Sequence, residues 1–146
     1  MLEGLRRLGL RLRGVRVSRS VRVGPGVRVE RGRGASVELH PGAVLEAGAR
    51  ISAVSGRVVV GPGARLGERA IVVSHAGVTI GASAVVGEWA AVSDGAPGFA
   101  DAERPIRAQP SATAPIVIGE RAVVGPHASV SSSVAPGAVV APYAVL

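Results

Sequence analysis

The chain has 146 residues, a formal net charge of +7 and no cysteine, which excludes a disulfide framework and thiolate metal sites. All 17 basic residues are Arg, which excludes any mechanism built on a catalytic or Schiff-base lysine. Hydrophobic residues make up 47% but aromatics only 2%, so a single domain with an aliphatic core is expected, and 26 Val favour strands over helices.

The charge is concentrated at one end. Ten Arg fall between Arg6 and Arg33, with only Glu3 and Glu30 as acids in that part of the chain, whereas the rest carries seven Arg against eight acids. Residues 1–20 are expected to form a basic cap, a short helix using Leu2, Leu5 and Leu8, or an irregular strand. Arg6, Arg7 and Arg11 interrupt the N-terminal apolar residues, so no apolar core of signal length is present and a cytoplasmic location is expected. From Arg16 onward Arg alternates with Val, the pattern of strands whose Arg side chains face water. The competing reading is contact with a phosphate or an anionic surface. Nucleic-acid binding is not expected, because base-stacking aromatics and RNA-binding or helix-turn-helix motifs are missing. The longest uncharged run, residues 122–146, is broken by Gly, Pro and Ser and does not read as a membrane span.

From about residue 21 the sequence steps by six. Val23 and Val29 start it weakly. Then come Leu39, Leu45 and Ile51, followed by Val60, Leu66 and Val72, and by Ile80, Val86 and Val92. The series resumes at Ile118, Val124 and Val130, and ends with Val134, Val140 and Leu146. Four positions after many of these stands Ala, as at Ala43, Ala64, Ala84 and Ala122, and Gly often follows the aliphatic directly, as at Gly61, Gly67 and Gly81. A helix needs a period near 3.6 and would not tolerate 21 Gly and 10 Pro. A step of six fits a short strand plus a turn, three steps closing one triangular coil. The aliphatic residue points inward, Ala fits the corner, and Gly or Pro-Gly is expected to make the turn. About six coils are expected over residues 21–146, stacked as an all-β solenoid.

The step lengthens to nine between Ile51 and Val60 and to eight between Val72 and Ile80, which predicts extra residues at one corner. Between Val92 and Ile118 the hexads stop, so a loop of about residues 94–115 is expected to leave the coil. His75 lies in one of the longer corners, 19 residues before Asp94. With coils of about this length, His75 falls one layer below Asp94 on the same corner. A His beside a carboxylate is the arrangement of a general base with an orienting group. The alternative is an exposed corner histidine. Trp89, at an outward hexad position, is a candidate subunit contact or a lid for the adjacent loop.

These hexads, with the stretch Glu103-Arg104-Pro105-Ile106-Arg107-Ala108-Gln109-Pro110 leading into Pro115-Ile116-Val117-Ile118-Gly119, resemble the hexapeptide-repeat acyltransferases, in particular their sugar and cell-surface O-acetyltransferase branch. The resemblance implies a left-handed parallel β-helix, a homotrimer with its site between neighbouring prisms, and acetyl-coenzyme A as co-substrate without a metal. A His then acts as base on a hydroxyl of a sugar or other small acceptor, and a backbone N–H holds the oxyanion. Relatives usually carry that His in the loop. Here residues 93–101 hold Asp94 and Asp101 but no His, which leaves His75 as candidate base and Asp94 as its partner. Arg104, Arg107, Gly125 and Ser131 are the candidate coenzyme contacts, the two Arg through its phosphates.

Two other functions stay open. One is a non-catalytic β-helix trimer serving as a scaffold or assembly module. The other is a zinc-dependent carbonic anhydrase of the same fold, although His40, His75 and His127 are spaced by 35 and 52 residues, too far for a closely paired ligand set.

Overall fold

The computed structural model describes residues 6–10, 14–96 and 112–146. Residues 6–10 are helical. The first layer of the solenoid follows, with β1 (Arg16–Val17), β2 (Arg22–Val23) and β3 (Arg28–Arg31). The second layer holds β4 (Ser36–Leu39), β5 (Val44–Leu45) and β6 (Arg50–Ala53), and the third β7 (Arg57–Val60), β8 (Arg65–Leu66) and β9 (Ile71–Ser74). The fourth is β10 (Gly77–Ile80), β11 (Val85–Val86) and β12 (Ala91–Ser93). Next come β13 (Gly95–Ala96) and β14 (Ala112–Thr113), and then the fifth layer, β15 (Ile116–Ile118), β16 (Val123–Val124) and β17 (Ser129–Val130). β18 (Val139–Val140) belongs to a sixth.

Each strand pairs in parallel with its counterpart one layer away, which makes three sheets. Sheet A contains β1, β4, β7, β10 and β15, sheet B contains β2, β5, β8, β11, β16 and β18, and sheet C contains β3, β6, β9, β12 and β17. The expected all-β parallel solenoid is therefore the observed fold. About six coils were expected, and the sixth layer is incomplete. Only sheet B has six strands, while Val134 and Val145 make isolated bridges to Ile118 and Ser129. The first strand, β1, lies within the basic N-terminal segment.

The physical cause of this fold is the two-residue alternation inside each hexad. In β1, β2 and β8 an exposed Arg precedes a buried Val or Leu. The buried partners stack in columns, such as Val37, Val58 and Val78 on sheet A and Leu45, Leu66 and Val86 on sheet B. Ala43, Ala64, Ala84 and Ala122 fill one inner corner, each completely buried. The prism interior leaves room there for a methyl group and no more, which explains the near-absence of aromatic residues from the core.

The glycine that follows the aliphatic residue has a different role from the one expected. At Gly61, Gly67, Gly81 and Gly87 φ is not positive. Instead, a Cβ on Gly87 would lie 2.7 Å from the Pro126 nitrogen and 2.8 Å from the Val124 carbonyl oxygen of the next layer. These glycines let the corner backbones of adjacent layers touch. Positive φ occurs two residues later, at Gly42 and Gly63 but also at Arg69, Ser83, Trp89, Arg121, His127 and Tyr143. There the N–H donates to an oxygen of the neighbouring layer, the Ser20 hydroxyl for Gly42 and a backbone carbonyl for the others, as Trp89 does to Glu68 at 2.9 Å. The layer-to-layer bond offsets the strain of a non-glycine residue in the left-handed region.

At the N-terminal end Leu10 is buried against the first layer. Arg6 and Arg7 donate to the carbonyl oxygens of Val23 and Val21, at 3.1 and 2.9 Å. These two guanidiniums satisfy acceptors that a first layer would otherwise leave without a strand partner.

Candidate functional site

The corner between sheets C and A varies in length. Residues 32–35 make it in the first layer, 54–56 in the second and 75–76 in the third. In the fourth layer the chain leaves the solenoid here, through the antiparallel pair β13–β14, in which Gly95 faces Thr113 and Ala96 faces Ala112. This places the base of the expected loop directly above His75. Arg104 and Arg107 lie outside the described residues.

Asp94 sits where the chain leaves. Its side chain is fully buried. The register that pairs Val73 with Ser93 carries Asp94 over the corner of the layer below. Its Oδ1 accepts the N–H of His75 at 2.7 Å, and its Oδ2 accepts those of Ala76 at 2.7 Å and Gly77 at 2.5 Å. Burial on its own raises the carboxyl pKa, but the N–H donors of Gly77, His75 and Ala76, helped by the His75 charge, outweigh it and hold Asp94 below the usual carboxylate range. The buried Ser74 hydroxyl lies 3.2 Å from the Arg57 carbonyl oxygen and 3.4 Å from Asp94 Oδ2.

His75 and Asp94 are thus on one corner, one layer apart. His75 Nδ1 stands 3.6 Å from Asp94 Oδ1, an ion-pair distance that exceeds a hydrogen bond. Nδ1 is buried and has no hydrogen-bond partner among the described residues, while the side chain as a whole is 37% exposed. The ring therefore turns one nitrogen toward the carboxylate and leaves its opposite edge to solvent. A neutral imidazole held this way can accept a proton at its outer nitrogen.

The other expected contacts lie elsewhere. Gly125 is buried, and a Cβ there would lie 2.6 Å from the Pro142 nitrogen. It is a packing glycine of the opposite corner. Ser131 is exposed, and both its N–H and its hydroxyl donate to the Leu146 carbonyl oxygen, at 2.8 and 2.6 Å. The three histidines occupy three different corners, His40 after β4, His75 after β9 and His127 after β16. A zinc site shared among them is incompatible with this placement.

His127 is more than a turn residue. Its ring stacks between Trp89, at 6.2 Å between centroids, and Tyr143, at 4.9 Å, with both pairs within 4° of parallel. The Arg69 guanidinium covers Trp89 at 5.1 Å. All four residues take the left-handed conformation at the same corner of successive layers. The signal was present in the sequence: Trp89 and His127 each stand two residues after a hexad glycine, and Tyr143 two after Ala141. Both faces of Trp89 are engaged, and the ring remains 52% exposed at its rim.

Comparison with protein-family models, curated proteins and solved structures finds no significant match to this chain. Among the described residues, no helix is long and apolar enough to cross a membrane.

Proposed function

We propose that this solenoid is an acyl-coenzyme A-dependent O-acyltransferase of the hexapeptide-repeat type, which moves an acetyl group to a hydroxyl of a sugar or similar small acceptor in the cytoplasm. The observation that carries the reading is the His75–Asp94 pair at the corner where the loop leaves. His75 accepts the proton of the acceptor hydroxyl at its outer nitrogen, and Asp94 stabilises the imidazolium. The acceptor oxygen attacks the thioester carbonyl, and the C–S bond breaks. The proton held by His75 then passes to the departing coenzyme A thiolate. A homotrimer would bring a neighbouring prism against this corner and complete the site. Loop residues Arg104 and Arg107 supply phosphate contacts in this scheme.

The test is thiol release from acetyl-coenzyme A in the presence of hydroxyl acceptors. General-base catalysis contributes roughly 10²–10⁴-fold, so His75→Ala should lower turnover by that range. Activity that survives His75→Ala removes His75 from the mechanism. A scaffold reading is favoured by a different observation. The Asp94 carboxylate already accepts three backbone N–H bonds, a structural task sufficient to explain the residue. Failure to bind acetyl-coenzyme A, with trimer formation retained, would support it.

A further inference from the structure

We propose that the first layer is a docking ring for an anionic lipid bilayer. Arg16, Arg22 and Arg28 project outward from β1, β2 and β3, one on each sheet, while Arg19, Arg31 and Arg33 lie at or beside the corners. All six are exposed, so positive charge encircles one end of the prism. The layers above differ. Arg50, Arg57 and Arg65 are paired with Glu30, Glu38 and Glu46, at 3.0, 2.6 and 2.6 Å. In the ring, Arg16 shares Glu38 at 3.4 Å, and Arg19, Arg22, Arg28, Arg31 and Arg33 have no described carboxylate within ion-pair distance. The described Arg–carboxylate pairs thus centre on Glu30, Glu38 and Glu46, and five of the six ring arginines take part in none of them.

The shape of the patch selects the partner. Cations around the rim of a prism end face a plane lying across the prism axis, whereas a polynucleotide needs a groove or stripe along which its backbone can run. No aromatic residue accompanies the ring to stack bases; the rings of Trp89 and Tyr143 belong to the fourth and sixth layers. An exposed aliphatic does accompany it: Leu8, on the helix that covers this end, is 50% exposed, although Leu10 of the same helix is buried. Arginines that meet lipid phosphates, together with an exposed apolar side chain on the same end, form the usual footprint of a peripheral lipid contact. This proposal does not depend on the catalytic reading.

The experiment is co-sedimentation of the full chain with phosphatidylcholine vesicles and with vesicles that also contain phosphatidylglycerol. Binding is expected to the anionic vesicles alone and to fall as salt is raised. Each ring Arg near an anionic leaflet contributes about fivefold in partitioning, so the triple variant Arg19→Gln, Arg22→Gln, Arg28→Gln should bind about 100-fold more weakly. Leu8→Ser should weaken binding further at constant charge. Arg121→Gln, which removes one charge from the fifth layer, should leave it unchanged. Circular dichroism of each variant confirms the fold. Equal binding to neutral vesicles, no binding to anionic ones, or equal losses from Arg121→Gln and Arg22→Gln would overturn the proposal. So would retention on a single-stranded oligonucleotide column without vesicle binding.

Discussion

Replacing Asp94 with Ala tests whether one carboxylate holds the corner from which the loop departs. The substitution removes the acceptor for the His75, Ala76 and Gly77 N–H groups together. A hydrogen bond to a charged group is worth about 1.5–3 kcal/mol. The three share one carboxylate on a half-buried corner that water can partly reach, so their effects do not add fully, and a total of about 2–4 kcal/mol is expected. Asp94→Asn keeps one oxygen acceptor but turns an NH₂ group toward the donors, and should fall in the lower half of that range. Urea unfolding followed by circular dichroism measures the difference, as a lowered midpoint at unchanged slope. The pH dependence adds a second signature. The native carboxyl pKa is depressed, so its stabilisation is present above the unfolded value of about 3.9 and is lost as pH falls through the lower native value. The wild type should lose its advantage over Asp94→Asn in that acid window. A loss below about 0.5 kcal/mol in Asp94→Ala at neutral pH would refute the account of the corner.

Other consequences concern the layers. Gly87→Ala drives a Cβ into the Pro126 and Val124 backbone and should cost about 1–3 kcal/mol, read as a lower thermal midpoint; a neutral effect would show that the layers can separate. Leu66→Ala empties a fully buried position of the central column and should cost about 2–5 kcal/mol in the same assay. Glu38 is held below the usual carboxylate range, chiefly by its hydrogen bond from Arg57, with burial opposing and the charges of Arg57, Arg16 and His40 assisting. Because these pairs are solvent-exposed, Glu38→Gln should cost only about 0.2–1 kcal/mol, with the difference shrinking at high salt. His127→Ala opens one face of the single Trp, and acrylamide should quench Trp89 fluorescence more strongly than in the wild type.

The fold was legible because a β-solenoid writes its geometry into a local period. The buried aliphatics from Leu39 to Val130 follow the six-residue step, and Val58, Val78 and Ile116 add a second buried position two residues ahead of it on sheet A. The lengthened steps before Val60 and Ile80 mark the turn from sheet C to sheet A, but the extra residues lengthen β6, β7, β9 and β10 to four residues each instead of enlarging the corner, which shrinks to residues 54–56 and 75–76. His75 and Asp94 could be placed together for the same reason, since coil length converts sequence separation into layers. What Asp94 does there was not legible. Three N–H groups converge on it only because the corner below bends around its carboxylate, and no spacing encodes that bend. The hexad glycine was read as a turn residue because composition cannot distinguish positive φ from close approach; Gly87 serves the second and Trp89 bears the first. The Trp89–His127–Tyr143 ladder is hard to read from the sequence because three different residue types share one structural position. Gly125 was drawn into the candidate site by resemblance, whereas its place is beneath Pro142 in the corner packing.

The central claim is that the His75 corner serves transfer from an acyl-coenzyme A. Calorimetric titration with acetyl-coenzyme A, at protein concentrations where sedimentation shows a trimer, tests it most directly. The account predicts saturable binding by the trimer, retained in His75→Ala while turnover is lost. A trimer that takes up no acetyl-coenzyme A, or a chain that stays monomeric at every concentration, would contradict it.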